Sequence, residues 1–106
     1  MFSTDFGDVV AFENHSGTTH LGSGLEPLGK IIVGFGNKGN CAEGARYKNV
    51  FASYGHGPLL PKNPALADGI ISAALSRRFG EVELKPLDDS MELNAHYYMA
   101  QRLEKK

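Results

Sequence analysis

One cysteine, four histidines and a glycine-rich hexad are the parts of this 106-residue chain from which chemistry could be built. The hexad Gly34-Phe35-Gly36-Asn37-Lys38-Gly39 fits G-x-G-x-x-G and directly follows an apolar, β-branched run. A dinucleotide cradle of that spacing needs a helix starting on the glycines and an acidic residue about 20 positions further on for the ribose. Gly44 breaks any helix over the next residues, a strand begins by Tyr47, and no Asp or Glu occurs between Gly44 and Ala67. The hexad therefore reads as a loop between strands, and no cofactor is expected. Cys41 is the single thiol. A thiolate paired with a histidine base attacks carbonyl carbon well, but Cys41 lies in this loop with Glu43 close by, which disfavours the thiolate. It reads as an incidental thiol. His15 and His20 could converge across a turn, yet zinc sites use three or four ligands at recognisable spacings, and none is present, so no metal is expected. His96 falls within a helical pattern and reads as a surface or core residue. His56 differs from the others: it is flanked by Gly55 and Gly57, ends a strand pattern and precedes a stiff proline segment.

The elements that must position these residues divide the chain in two. Eleven of the 13 glycines lie in residues 1–57, which predicts strands and turns first and helices second. Asp8–Phe12 is β-prone and is expected to form a hairpin with Thr18–Leu21 across a turn at Asn14–Gly17. Gly29–Phe35 and Tyr47–Tyr54 read as strands that pair with each other. Gly57–Pro64 carries Pro58, Pro61 and Pro64, so it should be a rigid, extended connector. Asn63 as N-cap with Pro64 at the first helical position opens a helix over about 64–79. Its apolar stripe is Leu66, Ile70, Ile71, Ala74, Leu75 and Phe79, with Gly69 inside and Gly80 as a left-handed C-terminal cap. A second helix is expected over about 89–104, with Asp89 and Glu92 as a capping-box-like pair and Met91, Ala95, Tyr98, Met99 and Leu103 as its stripe.

Composition sets the boundaries. The chain is 42% apolar and 22% charged, values of a globular protein that leave no room for disorder, collagen-like repeats or coiled coil. Its length allows one domain, 1–106, with strands over 8–54 and the two helices after them. The net charge is −1, so there is no overall positive field to hold phosphate backbones and nucleic acid is not expected as a partner. No apolar run approaches the roughly 20 residues of a bilayer span, and residues 1–8 lack a signal-peptide pattern. Membrane insertion is not expected. With a single thiol, the cytoplasm is the expected compartment.

The run Tyr54-Gly55-His56-Gly57-Pro58-Leu59-Leu60-Pro61-Lys62-Asn63-Pro64 resembles the catalytic-histidine segment of the class I glutamine amidotransferases of the CobB/CobQ type. Phe12–Gly17, Val33–Asn37, Gly44–Phe51 and Glu83–Asp89 resemble that family in the same order. The likeness is strongest to its GatD-like branch, whose members work with a Mur-ligase-like subunit to amidate the cell-wall precursor lipid II. It covers nearly the whole chain but only the C-terminal half of the family's domain. In such enzymes a cysteine thiolate attacks the side-chain amide of L-glutamine and a histidine relays protons to the departing ammonia. The resemblance implies that His56 is that histidine, and that the turn Asn14, His15, Ser16 and Gly17 lines the glutamine pocket with its backbone groups. An ordinary hairpin turn accounts for the same four residues. Many class I members place a glutamate two residues after the histidine, whereas Pro58 stands there, as in the CobB/CobQ branch.

The departure from the family is the nucleophile. The family's cysteine sits on a sharp turn in an N-terminal half that also supplies the oxyanion hole, and Cys41 does not occupy that position. The resemblance implies an α/β fold, the C-terminal part of a three-layer sandwich, with several strands followed by two helices. A sheet divided in this way exposes an edge and an apolar face, so a homo-oligomer or a separate N-terminal half is expected to cover them. Two functions stay open: half of a GatD-like amidotransferase, or a non-catalytic binding or structural module derived from that fold.

Overall fold

The computed structural model describes residues 1–38 and 40–105. In this mixed α/β chain short strands precede two helices. β1 (Phe2–Thr4) is central to a four-stranded antiparallel sheet, with β2 (Gly7–Val9) on one side and β4 (Gly29–Ile31) on the other, and β5 (Ala42–Glu43) outside β4. Phe2 sits opposite both Val9 and Ile31. The β1–β2 turn is tied by Thr4, whose hydroxyl accepts from the Phe6 N–H (3.0 Å) and donates to the Gly7 carbonyl (2.8 Å). β3 (Phe12–Glu13) and β8 (Gly55–His56) form a separate two-stranded ribbon, and β6 (Ala45–Tyr47) and β7 (Val50–Ala52) form another. The second ribbon turns at Lys48-Asn49, with Lys48 at φ 52°.

The core is small. Phe2, Val9, Leu28 and Leu66 cluster in it, with Phe6, Ile31, Phe51, Leu59 and Ile70 packed around them. Leu66 comes from α1 (Pro64–Phe79), and Gly69 lies in that helix because a Cβ there would strike the Phe6 ring. α1 and α2 (Ser90–Glu104) match the expected helices closely. The body is a plate of 38 × 36 × 17 Å. Its accessible surface is 7376 Å², against about 5,800 Å² for a typical monomer of this mass. The excess is a broad open surface with exposed Ile71, Phe79, Leu87, Met91 and Tyr98 on and between the helices.

Several expectations from the sequence do not hold. Thr18–Leu21 is not a strand, so the Asp8–Phe12 hairpin does not form. β3 pairs instead with β8, some forty residues away in sequence. Tyr47–Tyr54 does not pair with Gly29–Phe35: its first residue closes β6 and its centre is β7, a tight local hairpin, while β4 takes β1 and β5 as neighbours. The strand at Phe2–Thr4 had no sequence expectation at all. On α2, Met91, Ala95 and Tyr98 are exposed while His96 is half-buried, so the apolar stripe is only partly turned inward. Asp89 makes no side-chain cap, and the Ser90 N–H donates instead to Asp88 Oδ1 at 3.1 Å. Hydrogen bonding from the Ser90 side chain, and secondarily from its N–H, holds the Asp88 carboxyl below the usual aspartate range. Gly80 ends α1 with positive φ as expected, at φ 82° and ψ −143°, outside the left-handed helical region.

Asn63 also departs from its expected role. It makes no side-chain cap at α1. Its buried amide reaches across to Val10, where Oδ1 accepts from the N–H and Nδ2 donates to the carbonyl, both at 2.8 Å. Nδ2 also donates to the Leu59 carbonyl at 2.7 Å. His96 Nδ1 lies 2.9 Å from the Lys62 carbonyl and 3.2 Å from Asn63 Oδ1. Both are acceptors, so Nδ1 carries the proton. One amide thus joins the β2–β3 link, the proline connector, α1 and α2. Asn63→Ala strands the buried Val10 groups and is expected to cost about 2–4 kcal/mol. Leu66→Ala is expected to cost about 2–5 kcal/mol by leaving a cavity. Urea midpoints at unchanged slope check both.

Candidate functional site

The β3–β8 ribbon lies between the candidate residues, with the turn 14–17 beyond one end and His56 at the other. Phe12 sits opposite His56, and Glu13 opposite Gly55. β3 runs straight into Asn14, His15, Ser16 and Gly17, and just beyond the ladder the His15 ring stacks on Tyr54, with centroids 3.7 Å apart and planes 8° from parallel. The hydroxyls of Tyr54 and Thr19 share a 2.6 Å hydrogen bond. His15 Nδ1 lies 3.1 Å from the Gly17 carbonyl, so it bears the ring proton and leaves Nε2 as the lone-pair nitrogen of the neutral imidazole. A cavity of about 430 Å³ is lined by Glu13, His15, Ser16, Gly17, Phe35 and Lys38. Asn14 and His56 do not line it. His56 is exposed at the other end of the ribbon. Behind it Lys62 Nζ donates to the Gly57 carbonyl at 3.2 Å and lies 4.7 Å from the centre of the Phe12 ring.

Two carboxylates build the floor of this region. Glu13 accepts from the backbone N–H groups of Phe35 (2.8 Å) and Gly36 (2.5 Å). Positive φ at Gly34 (124°) and Gly36 (57°) turns those amides toward it. The glycine loop thus binds an anion, as such loops do, but the anion is a side chain of the same protein. Within the described residues 34–38 the loop expectation holds, while Gly39 lies outside them. Glu43 is only 1% exposed. Its Oε1 accepts from the Ser53 hydroxyl (2.9 Å) and the Tyr54 N–H (2.7 Å). Oε2 has no hydrogen-bond partner among the described residues. Burial pushes the Glu43 carboxyl above the usual glutamate range, opposed by these two hydrogen bonds and the nearby His15 and reinforced by Glu13. Beside it Asn37 pairs with the backbone of Gly44, each bond 3.0 Å.

The remaining candidates lie elsewhere. Cys41 is exposed at φ 57°, just before β5 in the four-stranded sheet, and its carbonyl accepts from the Ile31 N–H at 2.8 Å. His20 is exposed and His96 docks α2. No group of three or more His, Cys, Asp or Glu able to hold a metal occurs among the described residues. No helix among them is long and apolar enough to cross a membrane. Glu13, Glu43 and Tyr54 do not stand out in the sequence as site residues. The available signals were slight: Glu43 directly precedes Gly44 at a strand end, and Glu13 stands between Phe12 and Asn14 where β3 passes into a turn.

A family model for the CobB/CobQ-like glutamine amidotransferase domain matches residues 3–64, the stretch that holds both the histidine ribbon and the glycine loop. The chain belongs to that family. It is 41% identical over 98 residues to the GatD subunit of a glutamine-hydrolyzing lipid II isoglutaminyl synthase from Streptococcus pneumoniae, covering 88% of this chain and 38% of that protein. The same subunit from Staphylococcus aureus is 36% identical over 105 residues, covering 98% of this chain and 42% of the relative. The chain therefore spans about two fifths of the length of these relatives.

Glu43 gives the site a pH signature. Because its pKa is raised on folding, the folded chain keeps a proton that the unfolded chain has already released, and stability falls as pH rises from the ordinary glutamate value through the elevated folded one. Below that window the penalty is absent. Glu43→Gln cannot ionise, so its melting temperature is expected to gain on the wild type as pH is raised from about 4 to 7. Paired thermal melts across that range check this, and a pH-independent difference would refute it.

Proposed function

We propose that this chain is the histidine-bearing, C-terminal portion of a GatD-like glutamine amidotransferase domain. The supporting observation is the antiparallel β3–β8 pairing, which places His56 opposite Phe12 on the strand that leads into the turn Asn14–Gly17, while His15, Ser16 and Gly17 of that turn line a cavity at the other end of the ribbon. In this reading Asn14, His15, Ser16 and Gly17 meet glutamine and His56 is the catalytic histidine. A cysteine thiolate adds to the Cδ of the glutamine side chain. The tetrahedral adduct collapses with cleavage of the C–N bond, and His56 passes a proton to the departing ammonia. Water then releases glutamate from the thioester. The ammonia serves the amidation of lipid II, a reading supported by the relatives' names as subunits of a lipid II isoglutaminyl synthase; the resemblance adds a Mur-ligase-like partner and a cytoplasmic reaction.

In this reading the nucleophile comes from a second polypeptide segment, since Cys41 precedes β5 of the four-stranded sheet whereas His56 lies on the separate β3–β8 ribbon. That segment, or a second copy of this chain, covers the open surface. The separate placement of Cys41 also favours a second reading, a binding or structural module without chemistry.

The chain alone is expected to release no ammonia from L-glutamine above background, because members of a catalytic unit fail together, with losses of about 10⁶. Co-expression with the remaining portion of a GatD relative is expected to restore release. His56→Ala should then lower kcat by about 10²–10⁴, while Cys41→Ala leaves it unchanged. No release from the reconstituted pair favours the non-catalytic module. Release by the chain alone that both substitutions abolish would make Cys41 the nucleophile. Light scattering at high concentration is expected to show a self-associated species, and a strict monomer would eliminate the homo-oligomer.

A further inference from the structure

The corner between β7 and β8 has almost no ladder to hold it, since β8 is two residues long and pairs only with β3. Ser53 and Tyr54 form that corner, and both bond to a single buried atom, Glu43 Oε1. The Ser53 hydroxyl donates to Glu43 and in turn accepts from the Gly55 N–H at 2.8 Å. A chain of hydrogen bonds therefore runs from the four-stranded sheet through Glu43 and Ser53 to the residue before His56. The Tyr54 N–H gives a second route, because the Tyr54 ring is the surface on which His15 stacks. Gly44, next to Glu43, is held by Asn37 and has no room for a side chain against the Ala52 carbonyl, so the carboxylate is fixed at its root.

We propose that Glu43 is a positioning residue that fixes His56 and the stacked His15–Tyr54 pair relative to each other. Its catalytic meaning rests on the proposed role of His56, whereas the geometry does not. The carboxylate touches neither ring. It acts on His56 through Ser53 and Gly55, and on His15 through the Tyr54 backbone. Around it stand Glu13 on β3, His15 on the following turn and the Met1 amine, which donates to the Val33 carbonyl at 2.7 Å. An amide in its place can still accept from Ser53 and Tyr54, whereas a methyl group cannot. The two substitutions therefore separate positioning from the mere presence of a side chain.

The test is amide hydrogen exchange and ¹H–¹⁵N spectroscopy on the full chain, wild type against Glu43→Ala, Glu43→Gln and Ser53→Ala. In Glu43→Ala, exchange protection at Tyr54, Gly55 and His56 is expected to fall at least about tenfold relative to β1, β4 and α1, as loss of one such bond requires. Glu43→Gln should retain most of it, and Ser53→Ala, which leaves the buried carboxyl in place, should lose it mainly at Gly55. The Tyr54 amide shift should titrate with Glu43 in the wild type and lose that step in Glu43→Gln. Equal loss across the whole chain, or unchanged protection at 54–56 in Glu43→Ala or Ser53→Ala, would overturn the proposal. In the reconstituted glutaminase, Glu43→Ala is expected to lower kcat at least about tenfold with KM little changed and Glu43→Gln to restore most of the rate. A wild-type pair without activity would count against the amidotransferase reading alone, because the exchange measurement decides the positioning role without turnover.

Discussion

Buried backbone groups must be paired, and strands of two or three residues cannot pair them all. Here side chains complete the ladders. The Asn63 amide stands in for a neighbouring peptide group against Val10, and Asn37 does the same for Gly44. Glu13 gathers the amides of the glycine loop, and Glu43 gathers the β7–β8 corner. Each bridges segments separated in the chain, so the fold is tied together at a few polar points. The ties and the packing meet at α1, where Asn63 fastens the start of the helix and Leu66, one turn on, enters the core.

The same arrangement explains how a site can form on so little apolar burial. His56 sits on, and His15 and Tyr54 just beyond, a ribbon that on its own is too short to be stable. Glu43 anchors it to the four-stranded sheet, Glu13 anchors the loop that closes the cavity, and Lys62 holds the segment after His56. The polar anchors hold the ribbon in register without a deep core.

Much of this was legible in the residues, and the limits have physical causes. Both helices could be read because 3.6-residue periodicity, Pro64 and Gly80 are local signals. The loop at Gly34–Lys38 came from glycine spacing, and the family from the Tyr54–Pro64 run. Strand pairing was not legible, because short strands carry little alternation and their partners are chosen by contacts forty residues away, as Phe12 and His56 show. On α2 the apolar stripe is only partly turned inward: Met91, Ala95 and Tyr98 are exposed, while half-buried His96 bonds to the Lys62 carbonyl. Glu43 was unreadable for another reason: a buried glutamate looks like a surface one until its donors are placed in space.

The 17 Å thickness of the plate has an electrical consequence. Apart from enclosed groups such as Glu43, charges in so thin a body lie close to solvent, so those near the open face interact through a medium close to water. A second chain laid over that face would exclude the water, and lowering the effective dielectric constant from about 80 to about 20 strengthens each charge–charge interaction roughly fourfold. Assembly would then strengthen the interactions among the charges that border that surface without moving an atom of this chain.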